Sequence, residues 1–146
     1  LRLNRAFFLE RTGKDDAAVR DLRALLAERP GDAHVQNALG YTLADRNRSL
    51  AEAAGLVAAA LEQMPDSPAV LDSMGWVLYR QNRNAEALQY LQRAAKLGDD
   101  VEIVLHLGEV QWALGDQAAA RAAWQSGLER HPDDARLKER LERARP

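Results

Sequence analysis

Few residues in this sequence could carry out chemistry. It has no cysteine, which excludes disulfides, thiolate metal sites and cysteine nucleophiles. The three histidines, His34, His106 and His131, lie in different parts of the chain, and packing at the surface or in a groove is favoured over a metal or acid–base role. Ser73 has no evident base, and no phosphate-binding glycine loop, GxSxG or HExxH motif occurs. We therefore expect no catalytic residue, no metal and no cofactor, and interpret the chain as not being an enzyme.

Three pairs of adjacent aspartates are the remaining candidates for catalytic carboxylates. They lie at 15–16, 99–100 and 133–134, where helices are expected to begin. Negative charge at a helix start is stabilised by the helix dipole, so helix capping is favoured over catalysis. The sequence predicts further helix starts with the caps Asp32, Ser67 before Pro68, Asn84, Asp116 after Gly115, and a capping box from Ser49 to Glu52.

The composition points to closely packed helices in one domain. Hydrophobic residues make up 47% of the 146 residues and aromatic residues only 5%, and much of the apolar share is alanine. The net charge of −2 gives no general attraction for nucleic acid or anionic lipid. The basic stretch 136–145 is interpreted as the solvated face of a terminal helix. No stretch is long and apolar enough to span a membrane.

An internal repeat organises the sequence. Gly40, Gly75 and Gly108 lie in similar segments, 35 and then 33 residues apart. About a dozen residues after each glycine comes an alanine, followed four residues later by a larger apolar residue; the pairs are Ala53 and Val57, Ala87 and Leu91, Ala120 and Trp124. A glycine inside a helix costs about 1 kcal/mol relative to alanine. The pattern therefore predicts pairs of helices that approach closely at the glycines, with Trp124 in the core.

This pattern, with prolines at 30, 65 and 132, resembles the tetratricopeptide repeat (TPR). The resemblance covers the chain as one TPR domain, with copies at approximately 1–32 (truncated), 33–67, 68–100 and 101–134, and a capping helix at 135–144. It implies an all-α fold, a right-handed α-solenoid of nine helices. Because 135–144 looks like a terminal capping helix and the N-terminal residues have no matching cap, we expect the sequence to be the C-terminal part of a longer array.

The resemblance also implies a concave groove lined by the first helix of each copy. The residues at the groove positions are Phe7, Arg11, Asn37, Tyr41, Asp72, Trp76, Tyr79, Arg80, Leu105, Glu109 and Trp112. The aromatic members are expected to stay partly in water and to anchor a partner. Tyr79 and Trp112 could instead pack between neighbouring helices. The family's clamp for terminal carboxylates is absent, so an apolar extended or helical protein segment is the expected partner.

Two strings, 37–45 and 71–80, look like the C-terminal repeats of bacterial TPR lipoproteins. That resemblance implies a periplasmic parent anchored to the outer membrane, of a type that includes a protease adaptor; a cytoplasmic location is the alternative. The expected function is a non-catalytic adaptor or scaffold that binds protein and not nucleic acid, with no membrane insertion by this segment. The alternatives are a structural end-block that forms a weak homodimer through Leu1, Leu3 and Phe8, or the regulatory part of a larger enzyme.

Overall fold

The computed structural model describes residues 15–146, and helices are the only regular elements in that range. The all-α prediction is confirmed. The additional N-terminal helix expected from the repeat pattern, together with Leu1, Leu3, Phe7, Phe8 and Arg11, lies outside the described residues. The helices are α1 (Asp15–Glu28), α2 (Ala33–Asp45), α3 (Leu50–Gln63), α4 (Pro68–Arg80), α5 (Asn84–Leu97), α6 (Val101–Ala113), α7 (Gln117–Arg130) and α8 (Ala135–Arg143).

The helices form two layers because each copy contributes a pair. Helices α2, α4 and α6, here called the inner helices, pack on α3, α5 and α7 respectively, and α4 also packs on both α2 and α6. Helices α1, α3, α5 and α7 are the outer helices. Helix α8 packs on α7 at the end of the stack and inserts Leu137 into the core. None of the helices in residues 15–146 is long and apolar enough to cross a membrane.

The predicted close approach at the glycines is confirmed. A Cβ atom placed on Gly40 would lie 2.6 Å from Val57 Cγ2, and one placed on Gly75 would lie 2.6 Å from Leu91 Cγ. The paired alanines Ala53 and Ala87 contribute backbone carbonyl oxygens to the same contacts, at 3.1 and 3.3 Å. The small residue on the inner helix therefore makes room for the larger apolar side chain of the outer helix, and these side chains fill the core.

Most of the predicted helix caps are confirmed. The Asp32 side chain accepts hydrogen bonds from the backbone N–H groups of His34 and Val35, at 2.9 and 3.2 Å. Ser67 caps α4, whose first residue is Pro68. Asp116 caps α7 and follows Gly115, whose φ of 87° lies in the left-handed region that glycine adopts without strain. Asp100 and Asp134 cap α6 and α8 in the same way.

Two predicted caps are wrong. Ser49 adopts a left-handed backbone conformation with φ of 47°, and its side chain makes no capping hydrogen bond. The Glu52 side chain is instead held by Arg23 through two bonds of 2.6 and 2.9 Å, and these bonds lower the pKa of Glu52. Asn84 is the first residue of α5 and not its cap. The preceding residue is Arg83, whose guanidinium has no acceptor for the backbone N–H groups of the helix and pairs with Glu86.

Candidate functional site

A groove of about 1430 Å³ runs across the inner helices α2, α4 and α6 and reaches α8. Eight of the predicted groove residues line it: Asn37, Tyr41, Asp72, Trp76, Tyr79, Arg80, Leu105 and Glu109. Trp112 does not line the groove; its ring packs against Trp124, with 6.1 Å between ring centroids. Phe7 and Arg11 lie outside the described residues. The structure thus brings most of the predicted set together on one surface, and their role in binding stays a prediction.

Trp76 forms the floor of this groove. Its residue is only 7% exposed, so the expectation that it stays partly in water is wrong. The indole stacks on the rings of His106 and Tyr79, with centroid distances of 4.0 and 4.9 Å. Its Nε1 donates a hydrogen bond of 3.2 Å to Asp45 Oδ1, and the Arg80 guanidinium lies 5.0 Å from the ring centroid. These ring contacts and the hydrogen bond hold the indole in place and account for its burial.

A buried histidine–aspartate pair lies beside Trp76. His106 Nδ1 and Asp72 Oδ1 are 2.8 Å apart, and both residues are buried. His106 Nε2 is 3.5 Å from the Tyr41 hydroxyl and 3.9 Å from Glu102 Oε2. Sequence reasoning did not find this pair. The signal was present, because residues 72 and 106 are one repeat period apart and so lie side by side on neighbouring inner helices.

Helix α8 closes one end of the groove with two arginines. Arg136 pairs with Glu102, and Arg140 Nε lies 2.5 Å from Glu109 Oε1. Burial alone would lower the pKa of Arg136, but the hydrogen bonds and charges of Glu102 and Asp134 together outweigh it and raise the pKa. The interpretation of 136–145 as a solvated face does not hold for Arg140, because it is half-buried against inner helix α6, whereas the Arg136 side chain is exposed and pairs with α6 at the surface. Arg143 and Arg145 do lie at the exposed surface.

The half-buried walls of the groove contrast with its buried floor. Tyr41, Tyr79 and Asn37 are all half-buried, so part of each side chain faces the groove. Asn37 Oδ1 has no hydrogen-bond partner among the described residues. The arrangement places two half-buried tyrosines beside a buried, hydrogen-bonded floor. Such a surface can bind a chain segment, while the His106 imidazole, 5% exposed and covered by Trp76, offers no free base to a substrate.

Comparisons with known proteins agree with this architecture. A family model described as tetratricopeptide repeat matches residues 9–68 and 73–141. A TPR repeat-containing protein of Pseudomonas aeruginosa is 49% identical over 90 residues, which are 62% of this chain. The chain covers only 15% of the length of that relative.

Solved structures show the same fold. A thermophilic TPR protein of Thermus thermophilus aligns with a TM-score of 0.83 at 23% identity, over 95% of this chain and 77% of that one. The pilF protein of Pseudomonas aeruginosa aligns with a TM-score of 0.78 at 21% identity, over 98% of this chain and 65% of that one. TPR proteins generally act as protein-interaction modules, and their fold is generally non-catalytic. On the family match over most of its length, this chain belongs to the tetratricopeptide repeat family.

Proposed function

We propose that the groove binds a segment of another protein and that the chain works as a non-catalytic adaptor or scaffold. The supporting observation is the contrast between the fixed floor and the half-buried walls. The floor, Trp76 with His106 and Asp72, is held by stacking and hydrogen bonds before any partner arrives. A surface that is already ordered loses little conformational entropy on binding, which favours affinity. Tyrosines such as Tyr41 and Tyr79 are common binding anchors because they combine a large apolar area with a polar end.

The test places a bulky neutral side chain in the groove. Ala69 is exposed, lines the groove and is the second residue of α4. Ala118 is exposed, lies outside the groove lining and is the second residue of outer helix α7, so Ala118→Phe is a matched control for Ala69→Phe. Peptides selected by phage display of random twelve-residue segments on the wild-type protein serve as probes. We expect Ala69→Phe to weaken their binding by about tenfold or more through steric conflict, and Ala118→Phe to leave it unchanged.

If both phenylalanine variants bind the selected peptides as the wild type does, the binding surface is not this groove. Thermal unfolding of both variants checks that the helices remain packed, since substitutions at exposed positions change stability by only about 0.5 kcal/mol.

We also propose that the parent protein is a bacterial outer-membrane lipoprotein of the protease-adaptor type, located in the periplasm. The support is the pair of strings at 37–45 and 71–80, and the 49% identity to a bacterial TPR protein over 90 residues. Fractionation of cells that express the tagged full-length protein tests the location. Recovery in the outer-membrane fraction, lost when an upstream lipid-anchoring cysteine is replaced, is the expected result. Recovery in the cytoplasm would contradict it.

A further inference from the structure

More carboxylates than guanidinium groups line the groove, and some of the carboxylates pair with no arginine or lysine. Six carboxylates and four guanidinium groups line it. Each guanidinium already lies near a carboxylate: Arg46 and Arg80 pair with Asp45, Arg136 with Glu102, and Arg140 with Glu109. The arginines of the groove are therefore engaged within the protein.

Three carboxylates of the groove lack such a partner. Asp72, Asp99 and Asp100 have no lysine or arginine within ion-pair distance in the part of the chain that the structure describes. Asp72 contacts only the imidazole of His106 among ionisable side chains. Asp100 accepts the backbone N–H of Glu102 through one oxygen, at 2.9 Å, and Asp99 is exposed. The excess negative charge of the groove comes from these three residues.

These carboxylates lie at the same end of the groove. The turn that precedes α6 packs on the start of α4, since a Cβ atom placed on Gly98 would lie 3.0 Å from the ring of Pro68. Asp99 and Asp100 follow that glycine, and Asp72 lies one helical turn after Pro68. Ala69, next to Pro68, is exposed and also lines the groove.

We propose that the protein segment bound in the groove carries arginine or lysine side chains that lie against Asp99 and Asp100. This inference rests on the proposed function of the groove and adds the chemistry of its occupant. A cation placed there would meet two carboxylates that pair with no lysine or arginine of the described residues, whereas an acidic side chain in the same place would be repelled. At the other end of the groove, Arg46 and Arg80 both lie near Asp45. Arg80 is engaged there, because it also donates to the Asp45 carbonyl oxygen at 3.1 Å and lies over Trp76.

The experiment uses the peptides whose binding Ala69→Phe blocks. Their affinities are measured by fluorescence polarisation for the wild type and for Asp99→Asn/Asp100→Asn. Asparagine caps helices about as well as aspartate, so this variant removes charge and keeps the start of α6. The control, Asp116→Asn/Glu129→Gln, neutralises the cap of α7 and another exposed carboxylate outside the groove lining, with the same change in net charge.

We expect the selected peptides to be rich in arginine or lysine. Their binding should weaken by about three- to tenfold in Asp99→Asn/Asp100→Asn and stay within about twofold in the control. It should also weaken as NaCl is raised from about 50 to about 500 mM, because salt screens charges at the surface.

Two results would overturn the inference, and they are distinguishable. Peptides that Ala69→Phe blocks but that are neutral or acidic, or that bind Asp99→Asn/Asp100→Asn normally, would refute the basic segment and leave the groove proposal intact. If Ala69→Phe blocks no selected peptide, the groove proposal fails and this inference fails with it.

Discussion

Gly108 lies directly against the indole of Trp124, so that a Cβ atom placed on Gly108 would be 2.0 Å from Trp124 Nε1. The indole fills the space that a side chain at 108 would need, and its Nε1 donates a 3.4 Å hydrogen bond to the Leu105 carbonyl oxygen on the same inner helix. The equivalent distance at Gly75 is 2.6 Å, to the more adaptable side chain of Leu91. Each copy therefore packs a glycine of the inner helix against a large side chain of the outer helix, and this contact is closer at Gly108 than at Gly75.

Gly108→Ala is expected to destabilise the protein by about 1–3 kcal/mol, because overpacking a filled core outweighs the better helix propensity of alanine. Gly55→Ala is the matched control: Gly55 is in the interior of outer helix α3, is exposed, and a Cβ there meets nothing within 4 Å. It should stabilise the protein by up to about 1 kcal/mol. Urea unfolding of both variants measures the difference, and equal midpoints would show that the close contact is not where the structure places it.

Trp76→Ala is expected to destabilise the protein by about 3–5 kcal/mol, since truncating a buried tryptophan loses its contacts and leaves a cavity. Leu114→Ala provides the comparison, because Leu114 is 43% exposed and its truncation should change stability by no more than about 0.5 kcal/mol. Thermal or urea unfolding distinguishes them. A neutral Trp76→Ala would restore the interpretation of Trp76 as an exposed anchor. Early unfolding of Trp76→Ala would confirm that the indole is part of the packed core.

His106→Phe and Asp72→Leu are each expected to be destabilising, because each leaves the other member of a buried polar pair without its partner. The double variant should lose less stability than the two single losses added together. A double-mutant cycle by urea unfolding should give a coupling free energy of about 1–3 kcal/mol. Additive losses would mean that the 2.8 Å contact contributes little to folding.

Acid should weaken the start of α8 through Asp134. Burial alone would raise the pKa of Asp134, but the backbone N–H of Leu137 and the charge and hydrogen bonds of Arg136 outweigh it and lower the pKa. An aspartate is unperturbed near 3.9 in the unfolded chain. The stabilisation is therefore present above that pH and is lost as the pH falls through the lower value of the folded protein.

Asp134→Asn tests this directly, because asparagine also caps a helix but does not titrate. At about pH 6 the wild type should be more stable by about 0.5 kcal/mol, the contribution of a charge at a helix start. The difference should shrink to nothing well below pH 3.9. Urea midpoints of both proteins at several pH values measure it. A difference that is independent of pH would mean that the Asp134 charge does not matter.

The repeat, the glycine contacts and most helix caps were predictable because each depends on residues whose effect is local or periodic. A period of about 34 residues, with alanine opposite glycine, places equivalent positions of successive copies side by side in the stack. The backbone conformation of Ser49, and hence its failure to cap α3, could not be predicted in this way. The turn before α3 has one residue more than its counterparts, and the left-handed backbone at Ser49 depends on how the chain accommodates it.

The groove residues were predictable as a set but not in their orientation. The register placed Trp76 on the inner helices, yet its burial depends on His106 from the next copy and on Asp45 from the previous one. Arg136 and Arg140 lie on one face of α8 and reach carboxylates seven residues apart on α6. The sequence of the basic stretch alone does not show that carboxylates of another helix lie beside it.

The contact between Tyr41 and His106 joins two copies that are not neighbours, across 65 residues of sequence. In a simple repeat array each copy interacts only with the next, so unfolding can start at one end and proceed stepwise. A side-chain contact from the second copy to the fourth adds a longer-range coupling to that scheme. Fraying of the last copy would then expose the polar floor that the second and third copies help to build. Helices α2, α4 and α6 should consequently exchange their amide hydrogens as one cooperative unit rather than as a graded series.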